Sequence, residues 1–322
     1  MKAQNLYGLV LFLASLPSAH AFGRSSQIQC RFDIPETTYA DLVKRTLTDP
    51  EHQEHVPAMA LYLVDGRGDI QSRLFSVSEH TPRAVASTQK MITAWVTLRS
   101  RSLDESLEYT ADDDWHDSAN EGVPARHRDG RQFTIGDRAT IKEFLQTLLE
   151  QSSNAAAAAL ARDPQSGSHR PFVKKMNDAA NQLLSPHHFN TYFQNPSGLT
   201  DSESRLQQGD SSATQHSTAD NMARLMARIM ATPEGKTLES LGIRNAAGTG
   251  IFQKYGYTQA AGRTVVIHWR LPKSCQKTAR GLVLAAFGAH RAPVPLLIQE
   301  LESLTGLSTL RFPQVNHNTT HP

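Results

Sequence analysis

The chain has 322 residues, 39% of them hydrophobic and 20% charged, the balance of one large globular domain or two modest ones, which excludes a disordered, collagen-like or coiled-coil protein. Thirty-three Lys and Arg against 31 Asp and Glu leave a formal charge of +2, so no global field draws the chain onto nucleic acid or anionic lipid. Two cysteines are too few for a disulfide scaffold or a four-thiolate zinc site, so any chemistry must come from other side chains.

The first segment sets the expected compartment. Lys2 is followed by an apolar run over residues 6–14, then by Pro17 and the small-x-small triplet Ala19-His20-Ala21. This reads as a Sec-type signal over residues 1–21 with cleavage before Phe22. The run is about half the ~20 residues that span a bilayer, and no later stretch is apolar for long enough. The expectation is an exported, periplasmic protein with no transmembrane segment after signal cleavage. In an oxidising compartment Cys30 and Cys275 either pair as a structural disulfide or stay as two free thiols.

A short helix is predicted over residues 39–47. The apolar segments 58–64 and 71–77 then flank the turn Asp65-Gly66-Arg67-Gly68-Asp69, the signature of a β-hairpin. Helical periodicity follows at 91–98, 141–149, 155–161, 172–184 and 219–230, interrupted by a polar stretch over 111–132 that carries Gly122, Pro124 and Gly130 and reads as a long loop. Strands return at 250–259, 264–271 and 281–289, a closing helix is predicted at 292–304, and the polar tail 313–322 reads as disordered. Strands at both ends of the chain and helices between them predict an α/β chain of the α+β type: one antiparallel sheet built from both chain ends, flanked by helices, with a mostly helical insertion over about 88–235. The domain is expected to span 22–312.

Three short patterns carry chemistry. Ser87-Thr88-Gln89-Lys90 is a Ser-x-x-Lys where a loop enters the apolar helix that starts at Met91. Residues three apart in a first helical turn share a face, so the amine of Lys90 can lie beside the Ser87 hydroxyl and take its proton. Such a lysine must be partly desolvated or near another cation. Ser274-Cys275-Gln276-Lys277 fits the same pattern but sits in a polar hairpin turn with no helix behind it. Ser152-Ser153-Asn154 lies between two helices and offers a hydroxyl to relay a proton and an amide to hold a peptide carbonyl, although helix N-caps favour the same residues. Ser118-Ala119-Asn120 matches it within the polar loop. Lys254-Tyr255-Gly256-Tyr257-Thr258 is strand-like, and a lysine beside a glycine on a strand edge lets an extended substrate approach the backbone while the ammonium attracts a carboxylate.

In this order the three patterns resemble the Ser-x-x-Lys, Ser-x-Asn and Lys-Thr-Gly set of penicillin-binding proteins and class A β-lactamases. The chain is similar to the serine D-Ala-D-Ala carboxypeptidases, the low-molecular-mass penicillin-binding proteins. The likeness extends to the nucleophile segment around Ala86-Ser87-Thr88-Gln89-Lys90-Met91 and to three further blocks, Phe172-Val173-Lys174-Lys175-Met176-Asn177, Phe193-Gln194-Asn195-Pro196-Ser197-Gly198-Leu199 and His216-Ser217-Thr218-Ala219-Asp220. It covers about residues 57–289.

The resemblance implies a DD-peptidase/β-lactamase-like fold and an exported serine peptidase acting on peptidoglycan stem peptides, acylated by β-lactam antibiotics, with no cofactor. By it, Ser87 is the nucleophile, Lys90 its base, and Ser152 assists the leaving group. Asn154, Lys254, Tyr255, Gly256 and Thr258 contact substrate, with the Ser87 N–H and one at Tyr257 or Thr258 as the oxyanion hole. One departure stands out. Where the family has Lys-Thr-Gly the middle residue is Tyr255, which removes a short hydroxyl; the phenol either reaches the substrate carboxylate from farther away or narrows the cleft, and reduced or altered carboxypeptidase activity is expected. Little chain follows residue 304, which suits the shorter soluble members, some of them endopeptidases on D-alanyl crosslinks.

The rival readings are a β-lactamase, for which no glutamate-bearing loop suited to fast deacylation is evident, and a weakened penicillin-binding module without turnover. A zinc reading of Glu51-His52-Gln53-Glu54-His55 fails because the spacing is not His-Glu-x-x-His and Val56-Pro57 follows without an apolar helix. His187-His188 reads as loop surface.

Overall fold

The structure, a computed structural model, describes residues 32, 34–47, 58–114, 126, 127, 129–185, 190–199, 215–241, 251–258, 261–271, 276, 279–289 and 303. The signal segment, Cys30 and Cys275, the histidines at 52, 55, 187 and 188, Ser118-Ala119-Asn120 and the tail lie outside the described residues. So does nearly all of the closing helix expected at 292–304.

Helix α1 (Glu36–Leu47) precedes the hairpin β1 (Ala58–Val64) and β2 (Ile70–Val77). Its turn is closed by Asp65, whose carboxylate accepts the Arg67 and Asp69 N–H groups at 2.8 and 3.0 Å. The late strands are β5 (Ile251–Thr258), β6 (Gly262–Arg270) and β7 (Gly281–Ala289), and the five form one sheet in the order β2-β1-β7-β6-β5, antiparallel at every junction. The central pair β1 and β7 therefore joins the two ends of the chain, as the pattern of strands predicts.

Both faces of the sheet are covered, which is why β1 reads as an unbroken apolar run. Ala58, Ala60, Tyr62 and Val64 point into the larger core with Val266, Val283, Ala285 and Phe287, while Met59, Leu61 and Leu63 point to the other face with Val265, Ile267, Trp269, Leu282 and Leu284. The second face is closed by Tyr39 and Leu42 of α1. Against the first lies α6 (Ala219–Met230), capped by the Thr218 hydroxyl, which accepts the Asn221 N–H at 3.1 Å.

The helical part contains α2 (Lys90–Ser100), α3 (Ile141–Glu150), α4 (Asn154–Ala161) and α5 (Arg170–Leu184), each at its expected place. Helix α2 is buried from Lys90 to Thr97 and forms the centre of this part. Three elements were not predicted. Strands β3 (Ser106–Glu108) and β4 (Arg138–Thr140) are three residues each, too short to show an alternation. Helix α7 (Pro233–Leu241) follows α6 after only two residues and begins at a proline, the residue that suits a first helical turn.

Candidate active site

The site forms where three pieces meet: the turn before α2, the junction of α3 and α4, and the edge strand β5. Residues Ala86–Gln89 make one 3-10 turn that runs directly into α2. In a 3-10 turn side chains at i and i+3 eclipse rather than merely share a face. Lys90 Nζ accordingly lies 2.6 Å from Ser87 Oγ. Ser87 is partly exposed between buried neighbours, so its hydroxyl is reachable while its backbone is fixed. Ala86 holds φ at +47°, an uncommon state for a residue with a Cβ, at the position that aims the serine.

Between α3 and α4 the three residues divide their work. Ser153 is the helix cap: its hydroxyl accepts the Ala156 N–H at 3.1 Å. Its neighbours turn to the site. Ser152, at φ +59°, has its hydroxyl 2.6 Å from Lys254 Nζ, and Asn154 Oδ1 accepts from Lys90 Nζ at 2.7 Å. The cap reading of the Ser-Ser-Asn pattern thus falls on Ser153, while Ser152 and Asn154 are left to face the two lysines.

Strand β5 passes close against Ser87. A Cβ built on Gly256 would stand 2.6 Å from the Ser87 nitrogen, so only glycine allows the strand to pass there. Lys254 is buried on the same side of the strand. Thr258 is buried with its hydroxyl accepting the Ala261 N–H at 3.0 Å, in the turn to β6, and Tyr257 is exposed. Tyr255 stands differently from the cleft-lining role expected of it. Its phenol donates to Gln253 Oε1 at 3.0 Å, and its ring packs against the core of the opposite sheet face, because alternation along a strand sends residue 255 away from the side that 254 and 256 occupy.

The electrostatics follow from burial. Lys90 has no exposed surface, and burial, reinforced by the charge of Lys254, holds its amine well below the ordinary lysine range. Lys254 is pushed down to about 7, by burial. A neutral Lys90 amine has two N–H bonds and one lone pair. Asn154 Oδ1 and the Ser197 carbonyl, each at 2.7 Å, accept the two N–H bonds, which leaves the lone pair for the Ser87 hydroxyl. The arrangement can take a proton from Ser87 and, on its other side, pass one through Ser152.

The contact of the Ser197 carbonyl with Lys90 is not legible in the sequence of its block, Phe193-Gln194-Asn195-Pro196-Ser197-Gly198-Leu199. Gly198, at φ +92°, follows it and rests on the nucleophile turn: a Cβ there would come within 2.0 Å of the Ala86 carbonyl oxygen. Asn-Pro-x-Gly is a turn signal in any sequence, and it says nothing of which distant helix the turn will serve. Among the described residues no group of three or more His, Cys, Asp and Glu side chains is placed to hold a metal, and no helix is long and apolar enough to cross a membrane.

The model of the D-alanyl-D-alanine carboxypeptidase family matches residues 50–251, which include Ser87, Lys90, Ser152 and Asn154 and stop short of Lys254. A D-alanyl-D-alanine carboxypeptidase of a Streptomyces species is 30% identical over 125 residues, 37% of this chain and 42% of that protein. The D-alanyl-D-alanine carboxypeptidase DacF of Bacillus subtilis is 44% identical over 66 residues, 20% of this chain and 16% of the relative. The chain thus spans less than half the length of either curated relative. Among solved structures, a D-alanyl-D-alanine carboxypeptidase of Mycobacterium tuberculosis aligns with a TM-score of 0.57 at 22% identity, covering 81% of this chain and 94% of that one. Penicillin binding protein 6B of Escherichia coli aligns at 0.57 and 23%, over 85% and 84%. A variant of a Streptomyces DD-transpeptidase aligns at 0.56 and 19%, over 79% and 98%. At these identities the solved structures establish the fold.

Proposed function

Since the chain belongs to the D-alanyl-D-alanine carboxypeptidase family, we propose that it is an exported serine DD-peptidase that cleaves a D-alanyl peptide bond in peptidoglycan stem peptides through a Ser87 acyl-enzyme and is acylated by penicillins. The observation that carries this reading is the buried Lys90 amine, whose two N–H bonds are occupied by Asn154 and Ser197 and whose remaining site lies 2.6 Å from Ser87 Oγ. Export rests on the signal-like residues 1–21.

In this mechanism Ser87 Oγ attacks the carbonyl carbon and its proton goes to Lys90 Nζ. The oxyanion is held by the Ser87 N–H and by one from β5, at Tyr257 or Thr258. As the tetrahedral intermediate collapses, the departing amine takes a proton from the Ser152 hydroxyl, which is replenished from Lys254 at 2.6 Å. Asn154 orients the substrate amide, and the Lys254 ammonium attracts the terminal carboxylate. Water then attacks the ester and passes one proton through Ser152 to Lys254, while Lys90 returns its proton to the departing Ser87 oxygen, so the shortened peptide leaves and the serine and both lysines end as they began. With the Tyr255 phenol engaged at Gln253, carboxylate recognition falls mainly to Lys254.

The test is fluorescent penicillin on the mature protein beside Ser87→Ala, following both labelling and release of label. Stable labelling that disappears in Ser87→Ala is expected. Rapid release would move the assignment to a β-lactamase, and an unlabelled wild type would favour a binding module without turnover.

The two lysines must be in opposite states: Lys90 neutral to accept a proton, Lys254 charged to hold a carboxylate. Activity therefore appears as pH rises through the lowered pKa of Lys90 and declines as pH rises past that of Lys254, about 7 in the free enzyme. Lys254→Arg keeps its charge at all accessible pH. We expect that variant to lose the alkaline limb of kcat/KM for D-alanine release while keeping the acid limb, at a lowered plateau because arginine does not pass its proton to Ser152. An alkaline limb unchanged in Lys254→Arg would show that another group is responsible.

A further inference from the structure

Three consecutive backbone carbonyls of the turn after Phe193 are each held by a side chain of the nucleophile segment. Gln89 Nε2 donates to the Asn195 carbonyl, Thr93 Oγ1 to the Pro196 carbonyl at 2.7 Å, and Lys90 Nζ to the Ser197 carbonyl at 2.7 Å. Residues 89, 90 and 93 lie along one stretch of helix, so the turn is laid against it as a row of acceptors.

What shapes that row is the side chain of Asn195, which is 2% exposed. Its Oδ1 accepts from the Ser197 N–H at 3.0 Å, the Ser197 hydroxyl at 3.0 Å and the Gly198 N–H at 2.9 Å, while its Nδ2 donates to the Leu199 carbonyl at 2.7 Å. Turning the amides of 197 and 198 inward leaves the Ser197 carbonyl facing out, toward Lys90. Gly198 completes the fit by lying on the Ala86 carbonyl.

We propose that Asn195 is a positioning residue for the reaction: through the Ser197 carbonyl it fixes the rotation of the Lys90 amine and so aims its lone pair at Ser87. This rests on the acyl-enzyme reading above. A catalytic group displaced by about 1 Å can lose on the order of 10²-fold in rate. The Ser197 carbonyl also stabilises the protonated amine more than the neutral one, since a hydrogen bond from an ammonium is the stronger.

Two variants separate this role from mere scaffolding. Asn195→Ala frees the turn, so the plateau rate of penicillin acylation should fall by roughly 10- to 100-fold and the acid limb of its pH profile should move to lower pH. Asn195→Asp keeps the three acceptor contacts and places a carboxylate behind Lys90, so its acid limb should move to higher pH with a smaller loss of rate. A thermal unfolding transition for each shows that the protein measured is folded; should Asn195→Ala not fold, the direction of the shift in Asn195→Asp decides alone. Acid limbs that coincide with wild type in the folded variants would overturn the proposal while leaving Ser87 acylation intact. A wild type that takes no label would overturn both.

Discussion

Lys90→Arg is expected to lose penicillin acylation by about 10²- to 10⁴-fold, the range that a positioned general base supplies, and no rise in pH should recover it. Arginine preserves nitrogen donors for Asn154 and Ser197, but it keeps its proton at all accessible pH and so has no lone pair to offer the serine. The contrast with wild type is sharp because Lys90 is an unusual lysine: its burial, and then the charge of a second buried lysine beside it, hold its amine well below the ordinary lysine range. Timed labelling with fluorescent penicillin between about pH 5 and 10 measures this. A variant within tenfold of wild type would mean that the Ser87 proton leaves by another route, through Ser152 or water, and that Lys90 serves only as a charge.

The site residues whose juxtaposition was legible in the sequence are those marked by side-chain identity at a fixed short spacing. Ser87 and Lys90 announce themselves because a three-residue spacing in one helical turn joins them, and Ser152 and Asn154 because both lie at the one junction between α3 and α4. The sheet was legible for a similar reason: apolar runs bounded by turn residues recur near both chain ends, and antiparallel pairing of β1 with β7 follows once they must share a core. The rest depends on long-range placement. The acceptor for the second Lys90 N–H is a main-chain carbonyl 107 positions away, and any residue at 197 would supply one. The direction of Tyr255 does not follow from matching its segment to Lys-Thr-Gly, because strand alternation decides which side chain faces the cleft. Helix α7 escaped because it adds little apolar periodicity of its own, burying only Gly235, Leu238 and Leu241.

Arg162→Met should destabilise the protein by about 3–5 kcal/mol, because it strands a buried charge. Asp113, with no exposed surface, meets Arg162 Nε at 3.0 Å and Nη2 at 3.2 Å, and the guanidinium also donates to the Glu108 carbonyl. The carboxylate also accepts the Thr110 N–H at 2.8 Å and the Thr110 hydroxyl at 3.0 Å. Removing the arginine takes the guanidinium from a fully buried carboxylate, whereas replacing both members, as in Asp113→Asn with Arg162→Met, removes the charge along with its partner and should recover much of the loss. Arg162 caps the end of α4 opposite to Asn154, the residue that orients Lys90. The pair thus anchors one end of a short helix whose other end lies in the site. Since that helix is itself buried from Ala155 to Ala161, its position should survive, and acylation per folded molecule should stay near wild type below the melting transition. Urea unfolding of the two single variants and the double variant provides the check. A single-variant cost under about 1 kcal/mol, the value of an exposed ion pair, would show that water reaches Asp113 and that the loop and helix are joined by other contacts.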